Sequence, residues 1–164
     1  MIHLIIGSTG AGKTTYANKL AAEHGMVALA IDEWMVTLFG DDKPDDAGFE
    51  WYAPRIRRCT DAIFSAANKM HIAGSSCALE IGLTRRADRH AFYDRVRAAA
   101  LPLQLHVLDV PAEKRWQRVE TRNRDQGDSY SLTVTRGMFD FVETMWEPPD
   151  AAELAEWNAI VVRE

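Results

Sequence analysis

The chain has no run of about 18 apolar residues, which excludes a membrane-spanning helix. It has only two cysteines, Cys59 and Cys77, and no CxxC pairing. That excludes a disulfide framework and a zinc ribbon, and the pair reads as reduced thiols in the core of a cytoplasmic protein. Positive charge is not in excess. Lys and Arg number 19 against 24 Asp and Glu, a net charge of −5. A mildly acidic chain is a poor default for wrapping duplex nucleic acid, which asks for a basic face. The five histidines show no HxH or HxxxH spacing, so no zinc site is expected. The opening Met-Ile-His-Leu-Ile-Ile run is too short for a signal segment and lacks a cationic start. There are no repeats, linkers or low-complexity tracts. What is present is ordinary: 47% hydrophobic and 26% charged residues over 164 positions. That suits one globular domain, 1–164, long enough to bury its own core.

Hydrophobic periodicity alternates along the chain. Short apolar runs at 2–6, 26–31, 77–81, 103–110 and 159–162 read as strands. Between them lie helical stretches at about 13–24, 32–39, 51–73, 85–100, 111–124 and 132–146. In the longest, Ile56, Cys59, Ile63, Ala66 or Ala67, and Met70 recur at three and four, the mark of one buried face. Pro111 is expected at the first position of its helix. Strands alternating with helices predict an α/β fold: about five parallel strands in a doubly wound, three-layer α/β/α sheet, with ligands at the carboxyl ends of the strands.

Residues 7–14 read Gly-Ser-Thr-Gly-Ala-Gly-Lys-Thr and match the phosphate-loop (Walker A) pattern GxxxxGK[ST] in full. Glycines let the backbone curl so that successive N–H groups converge on phosphate oxygens. The helix that follows adds the favourable end of its dipole. Gly7, Ser8, Thr9, Gly10, Ala11, Gly12, Lys13, Thr14 and Thr15 are therefore the expected nucleotide cradle. Lys13 supplies charge to the β- and γ-phosphates, and Thr14 offers a hydroxyl to Mg2+. The stretch Asn68-Lys69-Met70-His71 has His where a GTPase base-reading motif has Asp, so a GTPase is not indicated. The length leaves no room for the extra helical domain of an AAA+ motor. A compact kinase or small ATPase remains.

The chain resembles the small P-loop kinases that include the polynucleotide 5′-kinase domain, chloramphenicol phosphotransferase, gluconate kinase and zeta toxin. They are grouped with the AAA-family ATPases and have a nucleoside-monophosphate-kinase-like fold. The likeness rests on Gly7 to Thr14; on Asp32-Glu33-Trp34-Met35 with Leu38-Phe39-Gly40; on Leu79-Glu80-Ile81-Gly82-Leu83 with Arg86 and Arg89; on Arg118-Val119-Glu120-Thr121-Arg122-Asn123; and on Phe141 through Glu147-Pro148-Pro149. It implies ATP and Mg2+ as the bound species. It also implies that Asp32 takes the proton of an acceptor hydroxyl, with Glu33 as a rival and a plain helix cap as the simpler role. Glu80 would help Thr14 with Mg2+, with Asp109 as its rival. Arg118 and Arg122, with Arg115 on the same helical face, would act from a lid at about 111–131.

The acceptor wall is expected within residues 33–58, from Trp34, Phe39, Trp51, Tyr52 and Arg55, with Arg86 and Arg89 as further substrate candidates. Residues 41–50 hold five carboxylates and one lysine, Lys43. Such a loop suits a cationic acceptor or is simply solvated. Where nucleic-acid-end kinases of this group carry Arg, the chain has Met35, which disfavours a nucleic-acid acceptor. The expectation is thus a cytoplasmic ATP-dependent kinase of a small hydroxyl-bearing acceptor, a metabolite or antibiotic, working as a monomer or homodimer. The alternatives are a nucleic-acid 5′-hydroxyl kinase and a nucleotide-dependent ATPase or switch that binds a protein partner.

Overall fold

The computed structural model describes residues 1–125 and 133–164. In chain order the elements are β1 (Ile2–Ile6), α1 (Lys13–His24), β2 (Val27–Ala30), α2 (Ile31–Phe39), α3 (Phe49–Ile72), β3 (Cys77–Glu80), α4 (Arg86–Ala98), β4 (Leu103–Asp109), α5 (Ala112–Asp125), α6 (Arg136–Met145), α7 (Ala151–Glu156) and β5 (Ile160–Arg163). The five strands form one parallel sheet in the order β2-β3-β1-β4-β5. Because β1 lies between β3 and β4, the loop after β1 opens where the winding of the sheet reverses. That is where an open α/β sheet presents a crevice.

Both faces of the sheet are covered, which is why its strands read as continuous apolar runs. Ile2, Leu4 and Ile6 alternate onto the face packed by Cys59, Ile63 and Ala67 of α3 and by Phe92, Tyr93 and Val96 of α4. Ile5, Ala78 and Leu108 point to the opposite face, where Ala17 of α1 packs closely. Cys59 and Cys77 are both buried and free. No helix among the described residues is long and apolar enough to cross a membrane.

Three differences from the sequence reading matter. Pro111 precedes the first residue of α5 rather than occupying it; its carbonyl accepts the Arg115 N–H. The helix expected at 132–146 spans Arg136–Met145, capped by the Thr135 hydroxyl; residue 132 lies outside the described residues. The six-residue helix α7, capped by Asp150, was not expected at all. It is too short to show periodicity.

On the α1 face, polar rings fill space that the small side chains leave. Tyr16 hydroxyl lies 3.0 Å from His106 Nδ1, and His106 Nε2 lies 3.0 Å from His3 Nδ1. His106 is buried within β4. Burial, with the neighbouring His3, lowers its pKa from the usual 6.5 to about 4. The folded chain thus resists a proton that the unfolded chain accepts. Stability conferred at neutral pH is expected to decline as pH falls from 6.5 towards 4, by up to about 3 kcal/mol for this ring. Urea melts across that window check it, and His106→Gln should flatten the slope.

Candidate functional site

The loop between β1 and α1 has the curled backbone that the motif requires. Gly10 and Gly12 adopt φ of 79° and 88°, in the left-handed region. A Cβ on Gly10 would meet the Arg115 carbonyl oxygen at 2.5 Å. Gly12 is the N-cap of α1 and offers no side-chain cap, so the first-turn N–H groups are left for a ligand. Lys13 Nζ lies 3.3 Å from the Ser8 carbonyl oxygen and 3.9 Å from Glu80 Oε1. Thr14 Oγ1 lies 3.5 Å from Glu80 Oε2.

A cavity of about 1150 Å³ opens at the carboxyl ends of the strands. Thr9 through Thr15 line one end, together with Glu80 of β3 and Arg118 and Arg122 of α5. Asp32 of α2 lines it as well. Gly7 and Ser8 do not; the Ser8 hydroxyl turns away and donates to Glu143.

Glu80 is buried at the end of β3. Burial pushes its pKa up, and the charges of Asp32 and Glu33 push the same way. Lys13 and the Thr14 hydroxyl pull it down without cancelling the rise. Asp109 is exposed, faces Arg163 at 3.4 Å and does not line the cavity, so of the two rivals only Glu80 stands beside Thr14. Asp32 sits within the first turn of α2, whose N-cap is Ala30. The cap role is therefore not its own, and no hydrogen bond engages its carboxylate among the described residues. Glu33 does not line the cavity.

On α5 the expected arginine face divides. Arg118 donates to the Ala11 carbonyl at 3.2 Å and pairs with Glu164. Arg122 lines the cavity with its Nε buried and without a hydrogen-bond partner among the described residues. Arg115 is buried beneath the loop instead. It donates to the carbonyls of Val110 at 2.8 Å and Thr9 at 3.1 Å, and forms a two-pronged ion pair with Glu143 at 2.7 and 2.6 Å. Those contacts hold Glu143 below the usual carboxylate range, chiefly through the Arg115 bond. Sequence reasoning missed Glu143, since it lies on α6, far along the chain from Ser8. Its partners are set only by folding. Residues 126–131 of the expected lid lie outside the described residues.

The substrate candidates fare unevenly. Phe39, Trp51 and Tyr52 line the cavity. Trp34 does not; it packs on the core under α2. Arg55 is also off the cavity, stacked over the Trp51 ring at 4.1 Å and bonded to the Trp51 carbonyl. Arg86 pairs with Asp150 at 2.9 Å, and its N–H donates to Glu147. Arg89 is fully buried against Glu153 and does not line this cavity. Both belong to the attachment of α4 to the C-terminal segment. The strand-end position that suggested them is shared by structural anchors.

The sequence matches the AAA domain family over residues 2–145. The chain belongs to that family. Its fold is that of the P-loop kinases among solved structures. A sugar kinase from Janibacter sp. HTCC2649 is 20% identical, with 99% of this chain and 84% of that one covered and a TM-score of 0.64. Chaetomium thermophilum Kti12 in complex with ADP-AlF3 is 14% identical, with 99% and 89% covered and a TM-score of 0.71. The Mycobacterium tuberculosis APS kinase in complex with AMPPNP and APS is 14% identical, with 99% and 87% covered and a TM-score of 0.61. Comparison with curated proteins finds no match. In this AAA domain Thr9 through Thr15 of the phosphate loop, Glu80 and Asp32 line one cavity.

Proposed function

We propose that the chain is an ATP-dependent kinase that transfers the γ-phosphoryl group to a hydroxyl of a small molecule. One observation carries this reading. A carboxylate with no structural task, Asp32, lines the same cavity as a complete phosphate loop. A switch that only binds nucleotide has no need of it, and transfer to a hydroxyl is separated from transfer to water by the acceptor screen below.

The cradle fits a nucleoside triphosphate. The uncapped start of α1, Lys13 and Arg122 Nε, which has no partner among the described residues, all suit anionic oxygens. The donor set also fits Mg2+. One hydroxyl, Thr14, and one carboxylate, Glu80, leave most positions to water and phosphate, as that ion prefers. Thr14 and Glu80 would hold the ion, which would supply charge neutralisation to the phosphates. Lys13 binds the same phosphates, and Arg118 and Arg122 meet charge growing on the transferred group. Asp32 orients the acceptor hydroxyl and takes its proton as the new O–P bond forms and the bond from the γ-phosphorus to the bridging oxygen of ADP breaks.

Two measurements bear on this. Screening hydroxylated metabolites and antibiotics for ADP release, with the product identified by mass, should yield an acceptor carrying one added phosphoryl group. ADP release that no acceptor stimulates would mean a hydrolase. The raised pKa of Glu80 predicts a second outcome. The carboxylate must be ionised to serve Mg2+, so the Mg2+ concentration needed for half-maximal nucleotide binding should rise as pH falls through that pKa. Glu80→Gln should remove the dependence.

A further inference from the structure

The acceptor end of the cavity has a chemistry of its own. Asp32, Met35, Val36 and Phe39 recur at three and four along α2 and form one stripe of its surface, which faces the cavity. Phe39 stands roughly 10 Å along the helix axis from Asp32. Trp51, Tyr52 and Ile56 of α3, the helix on which α2 packs, line the cavity as well. Between residues 31 and 56, the charged side chains lining the cavity are Asp32 and Lys43 alone. The five carboxylates of the loop at 41–50 do not line it. The loop is acidic in composition, yet the one charged side chain it places on the cavity wall is Lys43. Lys43 Nζ lies 6.0 Å from the centre of the Tyr52 ring, at the edge of the aromatic wall.

A polyol does not suit this surface. Each buried hydroxyl left without a partner is costly, and the wall offers few partners. A cationic group at this end of the cavity would meet the Lys43 ammonium.

Resting on the kinase reading above, we infer that the acceptor is an aromatic alcohol that carries an anionic group at the end remote from its hydroxyl. The hydroxyl lies at Asp32. The ring lies along the wall of Phe39, Tyr52 and Ile56, because the Arg55 guanidinium already stacks on both Phe39, at 5.5 Å, and Trp51, at 4.1 Å. The anion faces Lys43. Aromatic walls with a few well-placed polar groups are how small-molecule sites achieve both affinity and orientation.

The test uses the full chain with ADP and three matched probes: para-hydroxymethyl-phenylacetate, uncharged para-ethylbenzyl alcohol and cationic para-aminomethyl-benzyl alcohol. Glucose and gluconate serve as polyols without and with the anion. Binding is titrated by ligand-observed NMR. Each probe is then incubated with Mg2+ and ATP and its mass measured. The aromatic carboxylate should bind on the order of 10- to 100-fold tighter than gluconate, from ring burial. It should bind about three- to five-fold tighter than the aromatic amine, from one exposed ion pair. Lys43→Glu should invert the order of the carboxylate and the amine while the uncharged alcohol stays unchanged.

Preferential binding or phosphorylation of gluconate or glucose overturns the acceptor class and leaves the kinase standing. A charge order that Lys43→Glu does not move overturns the placement of the anion. Tight binding of the aromatic carboxylate without phosphorylation of it or of any polyol supports the pocket chemistry and counts against the kinase. Binding of no aromatic probe overturns the inference, and the kinase reading is then judged by the acceptor screen alone.

Discussion

Asp32→Asn is expected to lower the rate of phosphoryl transfer by about 10²- to 10⁴-fold, with nucleotide affinity nearly unchanged. Asn keeps the shape and can still meet a hydroxyl, but it cannot accept its proton. The change should therefore fall on kcat. Asp32 makes no hydrogen bond among the described residues, and Ala30 rather than Asp32 caps α2. The substitution has no helix cap to lose, so the melting temperature should hold. Lys13→Ala is the informative contrast. It removes a charge that stands 3.9 Å from Glu80 and faces the cradle. It should weaken nucleotide binding and slow transfer together, by about 10²- to 10³-fold in rate. Steady-state kinetics with the acceptor found by screening, together with nucleotide titration of each variant, separate the two patterns. If Asp32→Asn keeps most of its activity, the proton goes elsewhere, and Asp32 is a positioning group at most.

What could be seen in the sequence follows from the range of each interaction. The phosphate loop is contiguous and its glycines answer local demands, so residues 7–14 were legible on their own. The placement of Asp32 and Glu80 at the cavity was legible because an open parallel sheet has its crevice at the carboxyl ends of the strands, although Asp109 at the end of β4 stays outside it. The strand runs were legible because both faces of the sheet are buried. Arg86 and Arg89 show where this reasoning stops. They also follow a strand end, but their partners, Asp150 and Glu153, lie far downstream beyond two prolines. Arg115 shares a helical face with Arg118 and Arg122 and yet buttresses the loop from below, because Glu143 approaches from α6. Trp34 and Trp51 could not be told apart by composition. Only the packing of α2 on α3 decides which ring meets the core and which the cavity.

The anchor around Arg89 carries the other large expected effect. Arg89 and Glu153 are both buried, joined by bonds of 2.6 and 2.9 Å from Nε and Nη2. Nη1 donates to the carbonyls of Thr84 at 3.2 Å and Glu147 at 2.7 Å, and the Tyr93 hydroxyl donates to Glu153 at 2.8 Å. Burial alone would push Glu153 up, but the bonds from Arg89 and Tyr93 outweigh it and hold the carboxyl below its usual value. Glu153→Ala leaves a buried guanidinium without its counter-charge, a loss of about 3–5 kcal/mol. For a chain of this length that is a fall of roughly 6–20 °C in Tm. The α7 cap survives the change, since Asp150 accepts the backbone N–H of residue 153. The loss is therefore attributable to the buried cluster, the ion pair with Arg89 and the bond from Tyr93 together. The lowered Glu153 pKa sets the sign with pH. The stabilisation is full above the ordinary carboxyl range and is lost as pH falls through the folded value, so the wild type should approach the variant in acid. Replacing the whole cluster with Arg89→Met, Tyr93→Phe and Glu153→Leu should recover part of the loss, because no buried charge then remains. Recovery stays incomplete because the Thr84 and Glu147 carbonyls lose their donor. Because Arg89 lies outside the cavity, nucleotide affinity measured well below each Tm should be the same in wild type, single and triple variants. A weakened affinity in the folded triple variant would return Arg89 to the site from which its burial removes it.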